Sequence, residues 1–276
     1  MELLDGKALA DEILAELKNE ISSKKIKISV ILAGNNPASE TYVRIKEKRC
    51  REAGIGFELI RYNEDVSQEE IIDKISRLNK DKEINGILVQ LPLPAHLKPD
   101  EIVNKIIPEK DVDGLTTANR EKLNNGDERI VCCAPKGIVR MLERKDIELD
   151  NKRIVIVGHG FLVGKPLEAM LKNRNLNFEI CDIFTKDLKE RTRKADILIT
   201  ATGSPHLIKE DFVKEGVIII DAGTAKLGDK IVGDVDFDDV SKKASLITPV
   251  PGGVGPMTVA MLVENIVESY KMQKNI

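Results

Sequence analysis

Helical and strand-like runs of apolar residues alternate along the first 118 residues of the chain. In the helical runs an apolar residue recurs every three or four positions. The strand-like runs are rich in apolar residues, and the run at 86–91 is almost continuously apolar. In order, the pattern predicts a helix at 9–21, a strand at 26–33, a helix that ends near 53, a strand at 57–62, a helix at 68–78 and a strand at 86–91. Apolar strands separated by helices favour a parallel sheet that is covered on both faces.

The same alternation returns after residue 150. The pattern predicts strands at 153–157, 178–181, 197–201 and 217–221, and helices at 163–174, 185–193 and 257–272. The polar residues 119–127, which include Asn124-Asn125-Gly126, are the best candidate for a domain junction. We therefore predict two α/β domains at 1–118 and 119–276, with the final helix free to pack back on the first domain.

Residues 248–258 form a segment of unusual composition. Three prolines and three glycines in eleven residues fix some backbone angles, free others and remove three amide donors. We expect this segment to form neither a regular helix nor a central strand. It follows a short apolar run at 244–247, so it predicts either a ligand-binding loop at the carboxyl end of a strand or an elaborate turn.

Composition narrows the class of protein and its partners. The 43 Lys and Arg residues against 46 Asp and Glu give a net charge of −3 without a long basic run, so we expect no nucleic-acid partner. The chain begins without a secretory pattern and has no apolar run near the length of a membrane span, so we expect a cytoplasmic protein that does not enter membranes. The spacing of four cysteines and three histidines predicts reduced packing cysteines and no metal site.

A glycine-rich turn, Gly158-x-Gly160-x-x-x-Gly164, lies between a predicted strand and a predicted helix. In that position glycines permit a tight turn, and amides at the helix start can meet a pyrophosphate. The spacing departs from the GxGxxG dinucleotide motif, so a plain turn between strand and helix stays open as the alternative. Asp182 ends the next strand, where it is either the acid that meets a ribose hydroxyl or an ordinary solvated aspartate.

A second candidate site combines residues of the first domain. Tyr42 and Lys46 are four residues apart on one predicted helix and share a face, which suits a flat heterocycle that stacks while a proton moves. The alternative is a solvated face, because Lys46 is one of four basic residues between 44 and 49. Gln90 lies at the carboxyl edge of a strand. Asp113 lies on a turn, where its carboxylate either accepts hydrogen bonds from an amino-pyrimidine edge or serves only the turn.

Taken together, these segments resemble one family closely. The matching segments are Leu4-Asp5-Gly6-Lys7, Pro37-Ala38-Ser39, Tyr42-Val43 with Lys46, residues 85–94, residues 110–114, Cys133-Ala134-Pro135 with Gly137, Val163-Gly164-Lys165-Pro166, residues 195–198, Gly233-Asp234-Val235 and the loop at 248–258. They run almost from end to end of the chain. The chain resembles the bifunctional methylenetetrahydrofolate dehydrogenase/methenyltetrahydrofolate cyclohydrolases.

The resemblance implies a fold and two reactions. It implies an α/β catalytic, folate-binding domain at 1–118 and a Rossmann-like, doubly wound NAD(P)-binding domain at 119–276, with a cleft between them. It also implies a homodimer through the nucleotide domain. The implied activity oxidises 5,10-methylenetetrahydrofolate to the methenyl form with NAD(P)+ and then hydrolyses that product to 10-formyltetrahydrofolate.

The resemblance also assigns roles to residues. Lys46 is the implied general acid–base of water addition, Tyr42 packs against the pterin, Gln90 supports Lys46 and the reacting bridge, and Asp113 holds the pterin amino edge. The implied substrate-binding residues are Tyr42, Gln90, Leu91, Pro92, Asp113, Pro251, Gly252, Gly253, Pro256 and Thr258. The implied cofactor-binding residues are Gly158, His159, Gly160, Val163, Gly164, Asp182, Ile183, Thr202, Gly203 and Thr224.

The chain departs from the family pattern at the cofactor. The family usually has Gly-Arg-Ser where this chain has Gly158-His159-Gly160, and it has His-Ser-x-Thr where this chain has residues 182–185. The absent arginine and serines are those expected to meet the 2′-phosphate of NADP, and Asp182 would repel that phosphate. His159, Arg174 or Lys186 could supply a replacement contact. We expect NADP as the cofactor, with NAD accepted and only weak discrimination between the two.

Two functions of other kinds stay open at this point. One is a monofunctional NAD(P)-dependent methylenetetrahydrofolate dehydrogenase that has lost the hydrolytic step. The other is a non-catalytic, nucleotide-binding regulator, which the joint presence of Tyr42, Lys46, Gln90 and Asp113 disfavours.

Overall fold

The computed structural model describes residues 1–276, which divide into two compact units. The three-stranded unit consists of Glu12–Cys133 and Val259–Ile276, and the six-stranded unit consists of Met1–Asp11 and Ala134–Thr258. The chain passes between the units at residues 11–12, 133–134 and 258–259. The predicted domain boundary after residue 118 stays a prediction.

The elements of both units alternate between strand and helix. The strands are β1 (Glu2–Leu3), β2 (Lys27–Ala33), β3 (Gly56–Tyr62), β4 (Gly86–Val89), β5 (Ile154–Val157), β6 (Phe178–Cys181), β7 (Ile197–Thr200), β8 (Ile218–Asp221), β9 (Ala225–Leu227), β10 (Lys230–Val232) and β11 (Leu246–Ile247). The helices are α1 (Gly6–Ile21), α2 (Pro37–Glu52), α3 (Gln68–Lys80), α4 (Pro99–Val103), α5 (Thr117–Asn124), α6 (Cys133–Arg144), α7 (Gly164–Asn173), α8 (Leu188–Thr192), α9 (Phe237–Val240) and α10 (Val254–Lys274). None of these helices is both long and apolar enough to cross a membrane.

The sheet of the three-stranded unit has the order β3-β2-β4, and all its strands are parallel. The central strand β2 is buried from Ile28 onward, because helices and apolar side chains cover the sheet. The strands that follow β2 in the chain lie on opposite sides of it. This reversal places a crevice at the carboxyl ends of β2 and β4, which is where open parallel sheets hold ligands.

The main sheet of the six-stranded unit has the order β1-β11-β8-β7-β5-β6 and is also parallel throughout. Here β5 is flanked by β6 and β7, so the strand order reverses at β5 and opens a second crevice at its carboxyl end. The strands β9 and β10 form a separate antiparallel hairpin. The predicted two-domain α/β fold with Rossmann-like parallel strands is confirmed.

Two segments differ from the prediction for local reasons. The helix α10 begins at Val254, three residues before the predicted start and inside the segment expected to be non-helical. Pro256 is compatible with this because the amides of a helix's first turn have no intrahelical partner to lose. The helix α5 occupies most of the predicted junction at 119–127, since the Thr116 hydroxyl accepts a hydrogen bond from the Asn119 amide and caps the helix.

Candidate active site

The side chains of Lys46 and Gln90 meet at the carboxyl edge of the three-stranded sheet. The Lys46 Nζ donates to the Gln90 Oε1 at 3.0 Å, although the two residues are 44 positions apart in the chain. Lys46 is half-buried on α2, and Gln90 is buried directly after β4, with its amide still paired to the Ile31 carbonyl of β2. The switch in strand order therefore brings the predicted proton carrier to the residue predicted to support it.

The orientation of the Gln90 amide is set by the chain that follows it. The Gln90 Nε2 donates to the Leu91 carbonyl at 2.6 Å, which leaves Oε1 as the acceptor for the lysine. The Leu91–Pro92 peptide is cis, Leu91 is partly buried and Pro92 is exposed. A fixed amide beside an ammonium can orient that ammonium for proton transfer.

The helix α2 presents an exposed ring next to the ammonium. Tyr42 is 45% exposed, one turn before Lys46 on the same face. The helix is anchored at its start, since the Asn36 side chain accepts from the amides of Ala38 and Ser39. An aromatic ring with nearly half its surface free offers a stacking face for a planar ligand.

Asp113 lies in a turn that buried groups hold on one side. The preceding carboxylate, Asp111, accepts hydrogen bonds from the Leu115 amide, the Thr116 amide and hydroxyl, and the Asn119 side chain. Burial raises the pKa of Asp111, and these four hydrogen bonds oppose the rise. Asp113 itself is only partly buried, so its carboxylate is accessible while its backbone is fixed.

The buried thiol of Cys133 links Asp113 to the surroundings of Lys46. Its Sγ donates to the Asp113 Oδ1 at 3.4 Å. Burial raises the pKa of this thiol well above its ordinary value; the Asp113 charge adds to the rise and the Lys46 charge opposes it. Both predicted charged groups therefore act on one buried atom. All four cysteines of the chain are free and buried.

Two polar groups behind this site were not predicted from the sequence. The buried Asn265 of α10 donates through Nδ2 to the Val112 carbonyl at 3.0 Å and to the Val131 carbonyl at 2.8 Å, so it ties the Asp113 turn to α10. The buried Ser39 hydroxyl of α2 has no hydrogen-bond partner, which is costly for a polar group and makes it a functional candidate. In the sequence, Asn265 could have been found as a polar residue inside an apolar helical run. Ser39 could have been found because it belongs to the family motif of residues 37–39.

In the six-stranded unit the glycine turn after β5 fits a nucleotide by its backbone. Gly158 has a φ of +105°, and a Cβ there would lie 2.4 Å from the Ala201 carbonyl oxygen that follows β7. A Cβ at Gly164 would lie 2.2 Å from the Gly158 oxygen, whereas one at Gly160 would meet no atom within 4 Å. The first and third glycines thus let the turn and helix pack closely, and the second leaves open space beside the turn. This division of roles suits a pyrophosphate.

Two buried carboxylates fix the neighbouring loops. Asp234 accepts from the amides of Thr202 and Ser204 at 2.6 and 2.9 Å, and this holds the turn that contains Gly203. Asp221, at the end of β8, accepts from the Thr200 hydroxyl and from three amides, among them Gly223, which precedes the exposed Thr224. Burial raises the pKa of Asp221 to about 6, and the Asp234 charge adds to the rise against these hydrogen bonds.

No role for the pair of Asp221 and Asp234 was predicted from the sequence. Two features of the sequence could have indicated the pair. Asp221 ends a continuously apolar strand, and Asp234 lies inside one of the motifs that carry the family resemblance. A carboxylate in such a position is buried only if several donors meet it, and a linear pattern does not show the donors.

The predicted acid after β6 lies in a closed turn. The Asp182 Oδ1 accepts from the Phe184 amide at 3.0 Å and from the Thr185 hydroxyl at 3.2 Å, and Asp182 and Ile183 are both exposed. Two of the three basic candidates for a phosphate contact are paired elsewhere. His159 lies 2.6 Å from a Glu168 oxygen, and Arg174 contacts Glu143 and the Met170 carbonyl.

The loop at 248–258 is packed against the start of the chain. The Gly252 carbonyl accepts from the Lys7 amide at 3.0 Å, and a Cβ at Gly6 would lie 1.9 Å from the Gly253 oxygen. Pro251 follows a cis peptide and is exposed, while Pro256 and Thr258 are partly buried in the first two turns of α10. That this loop lines a folate pocket stays a prediction.

Family comparisons match both halves of the chain. The catalytic-domain model of the tetrahydrofolate dehydrogenase/cyclohydrolase family matches residues 4–113, and its NAD(P)-binding-domain model matches residues 132–274. The chain belongs to this family. The resemblance read from the sequence motifs is therefore confirmed.

Individual tetrahydrofolate dehydrogenase/cyclohydrolases are similar over the whole length. The bifunctional protein FolD of Methanococcoides burtonii is 50% identical over 273 residues, which cover 97% of this chain and 96% of that protein. The crystal structure of the bifunctional FolD enzyme from Campylobacter jejuni is 48% identical with a TM-score of 0.95, covering 100% and 99% of the two chains. The Trypanosoma brucei enzyme, solved with NADP cofactor and an inhibitor, is 33% identical with a TM-score of 0.93, covering 99% and 98%.

Proposed function

We propose that this chain catalyses the two reactions of its family. It oxidises 5,10-methylenetetrahydrofolate to 5,10-methenyltetrahydrofolate with NAD(P)+, and it hydrolyses the methenyl product to 10-formyltetrahydrofolate. Full-length similarity to bifunctional relatives supports both steps. The observation that carries the hydrolytic step is the 3.0 Å hydrogen bond between the Lys46 Nζ and the Gln90 Oε1 at the carboxyl edge of the sheet.

Hydrolysis needs a group that moves protons. The water oxygen bonds to the bridging carbon, one carbon–nitrogen bond breaks, one water proton reaches the released nitrogen and the other leaves. Lys46 carries a proton between these positions, and Gln90 holds the ammonium in place through Oε1. General acid–base catalysis of this kind contributes about 10²- to 10⁴-fold to a rate.

The groups around Lys46 bind the pteridine. Tyr42 offers a half-exposed ring for stacking, and the accessible Asp113 carboxylate accepts hydrogen bonds from the amino edge of the pterin. Leu91 and Pro92, together with the loop from Pro251 to Thr258, complete the substrate contacts in this proposal.

Oxidation depends on the relative position of the substrate and the dinucleotide more than on a catalytic base, because the hydride leaves a carbon that lies between two nitrogens. A bound nicotinamide dinucleotide supplies the acceptor for that hydride. The residues that would hold it are the glycine turn and the loops fixed by Asp221 and Asp234: Gly158, His159, Gly160, Val163, Gly164, Thr202, Gly203 and Thr224. Asp182 and Ile183 would meet its adenosine half.

We propose NADP as the cofactor with NAD accepted, at less than about hundredfold discrimination, or about 2.7 kcal/mol. The family supports NADP, and the Trypanosoma brucei relative is solved with it. The exposed Asp182 and the pairing of His159 with Glu168 oppose a strong 2′-phosphate site. A larger preference for NADP in kcat/KM would refute the proposal.

A spectroscopic assay of the purified chain with methylenetetrahydrofolate and each dinucleotide tests the function. Absorbance of the methenyl product should rise and then decay faster than its uncatalysed hydrolysis. A rise without faster decay indicates the monofunctional dehydrogenase. No rise with either dinucleotide leaves only the non-catalytic regulator.

The Lys46→Met variant tests the proton carrier. We expect hydrolysis of methenyltetrahydrofolate to fall by about 10²- to 10⁴-fold, while folate binding measured by calorimetry largely persists. Lys48→Met is the matched control, since Lys48 lies on the same helix with 74% of its side chain exposed and pairs with Glu52. Unchanged hydrolysis in Lys46→Met removes this lysine from the mechanism.

The state of the protein in the cell is also part of the proposal. The family resemblance supports a homodimer through the nucleotide domain, and the sequence supports a cytoplasmic location. Light scattering of the purified chain measures the first, and a monomeric mass would contradict it.

A further inference from the structure

The Asp113 carboxylate accepts a single hydrogen bond within the protein. Its Oδ1 accepts from the Cys133 Sγ at 3.4 Å, and its Oδ2 accepts none. The neighbouring carboxylate of Asp111, by contrast, is buried and accepts four hydrogen bonds. The Cys133 thiol is therefore the only donor of the protein that can set the rotation of the Asp113 carboxylate.

The thiol is itself held in place. Cys133 is buried and is the first residue of the 12-residue helix α6. The Asn265 Nδ2 of α10 donates to the Cys133 Sγ at 3.7 Å. The second acceptor within reach of the thiol is the Val112 carbonyl at 3.7 Å, and this carbonyl already accepts from Asn265 at 3.0 Å. The one thiol proton is thus directed to the nearer and charged acceptor, the Asp113 carboxylate.

The thiol is a donor at neutral pH because it keeps its proton. Burial raises the pKa of Cys133 well above its ordinary value, and the charge of Asp113 adds to this rise, while the charge of Lys46 opposes it. The thiolate is the reactive form of a cysteine, so a buried thiol that stays protonated is inert as a nucleophile. What remains for Cys133 is the hydrogen bond that it donates.

We propose that Cys133 is a positioning residue for the folate substrate, because its thiol holds the Asp113 carboxylate in the rotation that meets the amino edge of the pterin. This inference rests on the proposed role of Asp113 in binding the pterin. A carboxylate that is already held loses less freedom when the ligand binds, which favours binding. The proposed contact of Asp113 is with the pterin and not with the reacting carbon. Cys133 therefore acts on folate binding and leaves the chemical steps unchanged.

Kinetics of Cys133→Ala test this division. We expect the KM for methylenetetrahydrofolate and for methenyltetrahydrofolate to rise about tenfold, which corresponds to about 1.4 kcal/mol. The kcat of both reactions and the KM for the dinucleotide should stay unchanged. Cys133→Ser keeps a donor at the same position, so it should restore most of the lost affinity.

Cys132→Ala is the matched control. Cys132 is the adjacent buried cysteine, and its thiol donates to the Gly114 carbonyl at 3.2 Å instead of to a carboxylate. Urea unfolding should show similar losses of stability in Cys132→Ala and Cys133→Ala, because each removes one buried thiol. The KM for folate should rise only in Cys133→Ala. Equal rises in the two variants would show that a looser core, and not the position of the carboxylate, weakens folate binding.

A double-mutant cycle tests whether the thiol acts through Asp113. Calorimetric titration with tetrahydrofolate gives the dissociation constants without catalysis. Cys133→Ala should raise this constant in the unaltered protein and should have no further effect in Asp113→Ala, because the carboxylate that it positions is then absent. Effects that add in full would refute the positioning role.

The S–H stretching band of the thiol reports on the hydrogen bond itself. All four cysteines are free, so the infrared band that is missing in Cys133→Ala identifies this thiol. We expect the band to move to higher frequency in Asp113→Ala, because donation to a carboxylate weakens the S–H bond. An unchanged band would show that Cys133 does not donate to Asp113 and would overturn the inference.

The outcomes separate this inference from the proposed function. If the unaltered protein converts neither folate, the proposed function fails, while the titrations with tetrahydrofolate still decide the role of Cys133. If Asp113→Ala binds tetrahydrofolate as tightly as the unaltered protein, the role of Asp113 and that of Cys133 are both refuted. If Asp113→Ala weakens binding and Cys133→Ala does not, or if Cys133→Ser is as impaired as Cys133→Ala, only the positioning role is refuted.

Discussion

The carboxyl edges of the two parallel sheets are built in opposite ways. At the edge of the three-stranded sheet the functional groups are side chains, with Lys46 hydrogen-bonded to Gln90 and the Asp113 carboxylate held accessible on a fixed turn. At the edge of the six-stranded sheet the turn after β5 is built from glycines, and the buried carboxylates of Asp221 and Asp234 accept from backbone amides of the neighbouring loops.

This difference follows the chemistry that each edge serves. A proton must travel on a titratable side chain, whereas a pyrophosphate binds to a row of amides that side chains only need to hold in place. Hydrolysis of methenyltetrahydrofolate uses no dinucleotide. The two activities therefore report on the two edges separately, and in a variant that changes one edge the activity of the other edge serves as an internal standard.

The largest effect is expected from Gly158→Ala. The added methyl would lie 2.4 Å from the Ala201 carbonyl oxygen at a φ of +105°, so the turn must shift away from β7. We expect kcat/KM for the dinucleotide to fall about 1000-fold, which corresponds to about 4 kcal/mol. The cyclohydrolase rate should stay unchanged. In Gly160→Ala the methyl meets no atom within 4 Å, so the loss should be much smaller. Equal losses in the two variants would contradict the packing role of Gly158.

The second effect concerns the pH dependence of stability. The folded-state pKa of Asp221 is raised from 3.8 to about 6, so between these values the folded protein holds a proton that the unfolded chain has released. Stability from this group is therefore greatest below pH 3.8 and is lost as the pH rises through 6, by about 3 kcal/mol in all. Urea unfolding across this range should show that decline in the unaltered protein and not in Asp221→Asn.

Asp229→Asn is the control for this titration, because Asp229 is exposed in the β9–β10 hairpin. Its stability should decline with pH as that of the unaltered protein does. A decline that persists in Asp221→Asn would show that other groups cause it.

The third effect tests the support behind Asp113. In Asn265→Leu the carbonyls of Val112 and Val131 lose the amide that bridges them, which should lower the free energy of unfolding by about 2 kcal/mol. Because the Asp113 turn would be less firmly fixed, the KM for folate should rise several-fold, while the KM for the dinucleotide should stay unchanged. Asn19→Leu, on the exposed face of α1, is the control for the same chemical change. A stability loss without any change in folate KM would make Asn265 purely structural.

The same contrast explains how much the sequence could predict. The parallel sheets follow from apolar strands between helices. Gln90 was expected at the end of a strand and Lys46 on a helix from the apolar pattern, but only the family resemblance implied that Gln90 supports Lys46. The residues missed were those whose environment is assembled from distant segments. The strand β1 exists only through its pairing with β11, 244 positions later. Asp221 and Asn265 are buried because donors or acceptors from several loops meet them, and linear patterns contain no such information.

The smallest effect is expected from Asp182, an exposed charge at the glycine-built edge. Asp182→Asn removes the negative charge but keeps an Oδ1 that can accept from the Phe184 amide and the Thr185 hydroxyl, so the turn should persist. Since the carboxylate repels a 2′-phosphate, kcat/KM for NADP+ relative to NAD+ should rise about tenfold, or about 1.4 kcal/mol. The effect is limited because the charge is exposed to solvent and salt.

Steady-state assays with both dinucleotides, at low and high salt, measure this ratio, and the gain should shrink as salt screens the charge. Asp211→Asn provides a control, since this exposed aspartate pairs with Lys189 instead. If the ratio for Asp182→Asn stays at its original value, Asp182 does not face the ribose. In that case the choice between the two dinucleotides would have to come from other groups, such as Lys186 or the backbone of the glycine turn.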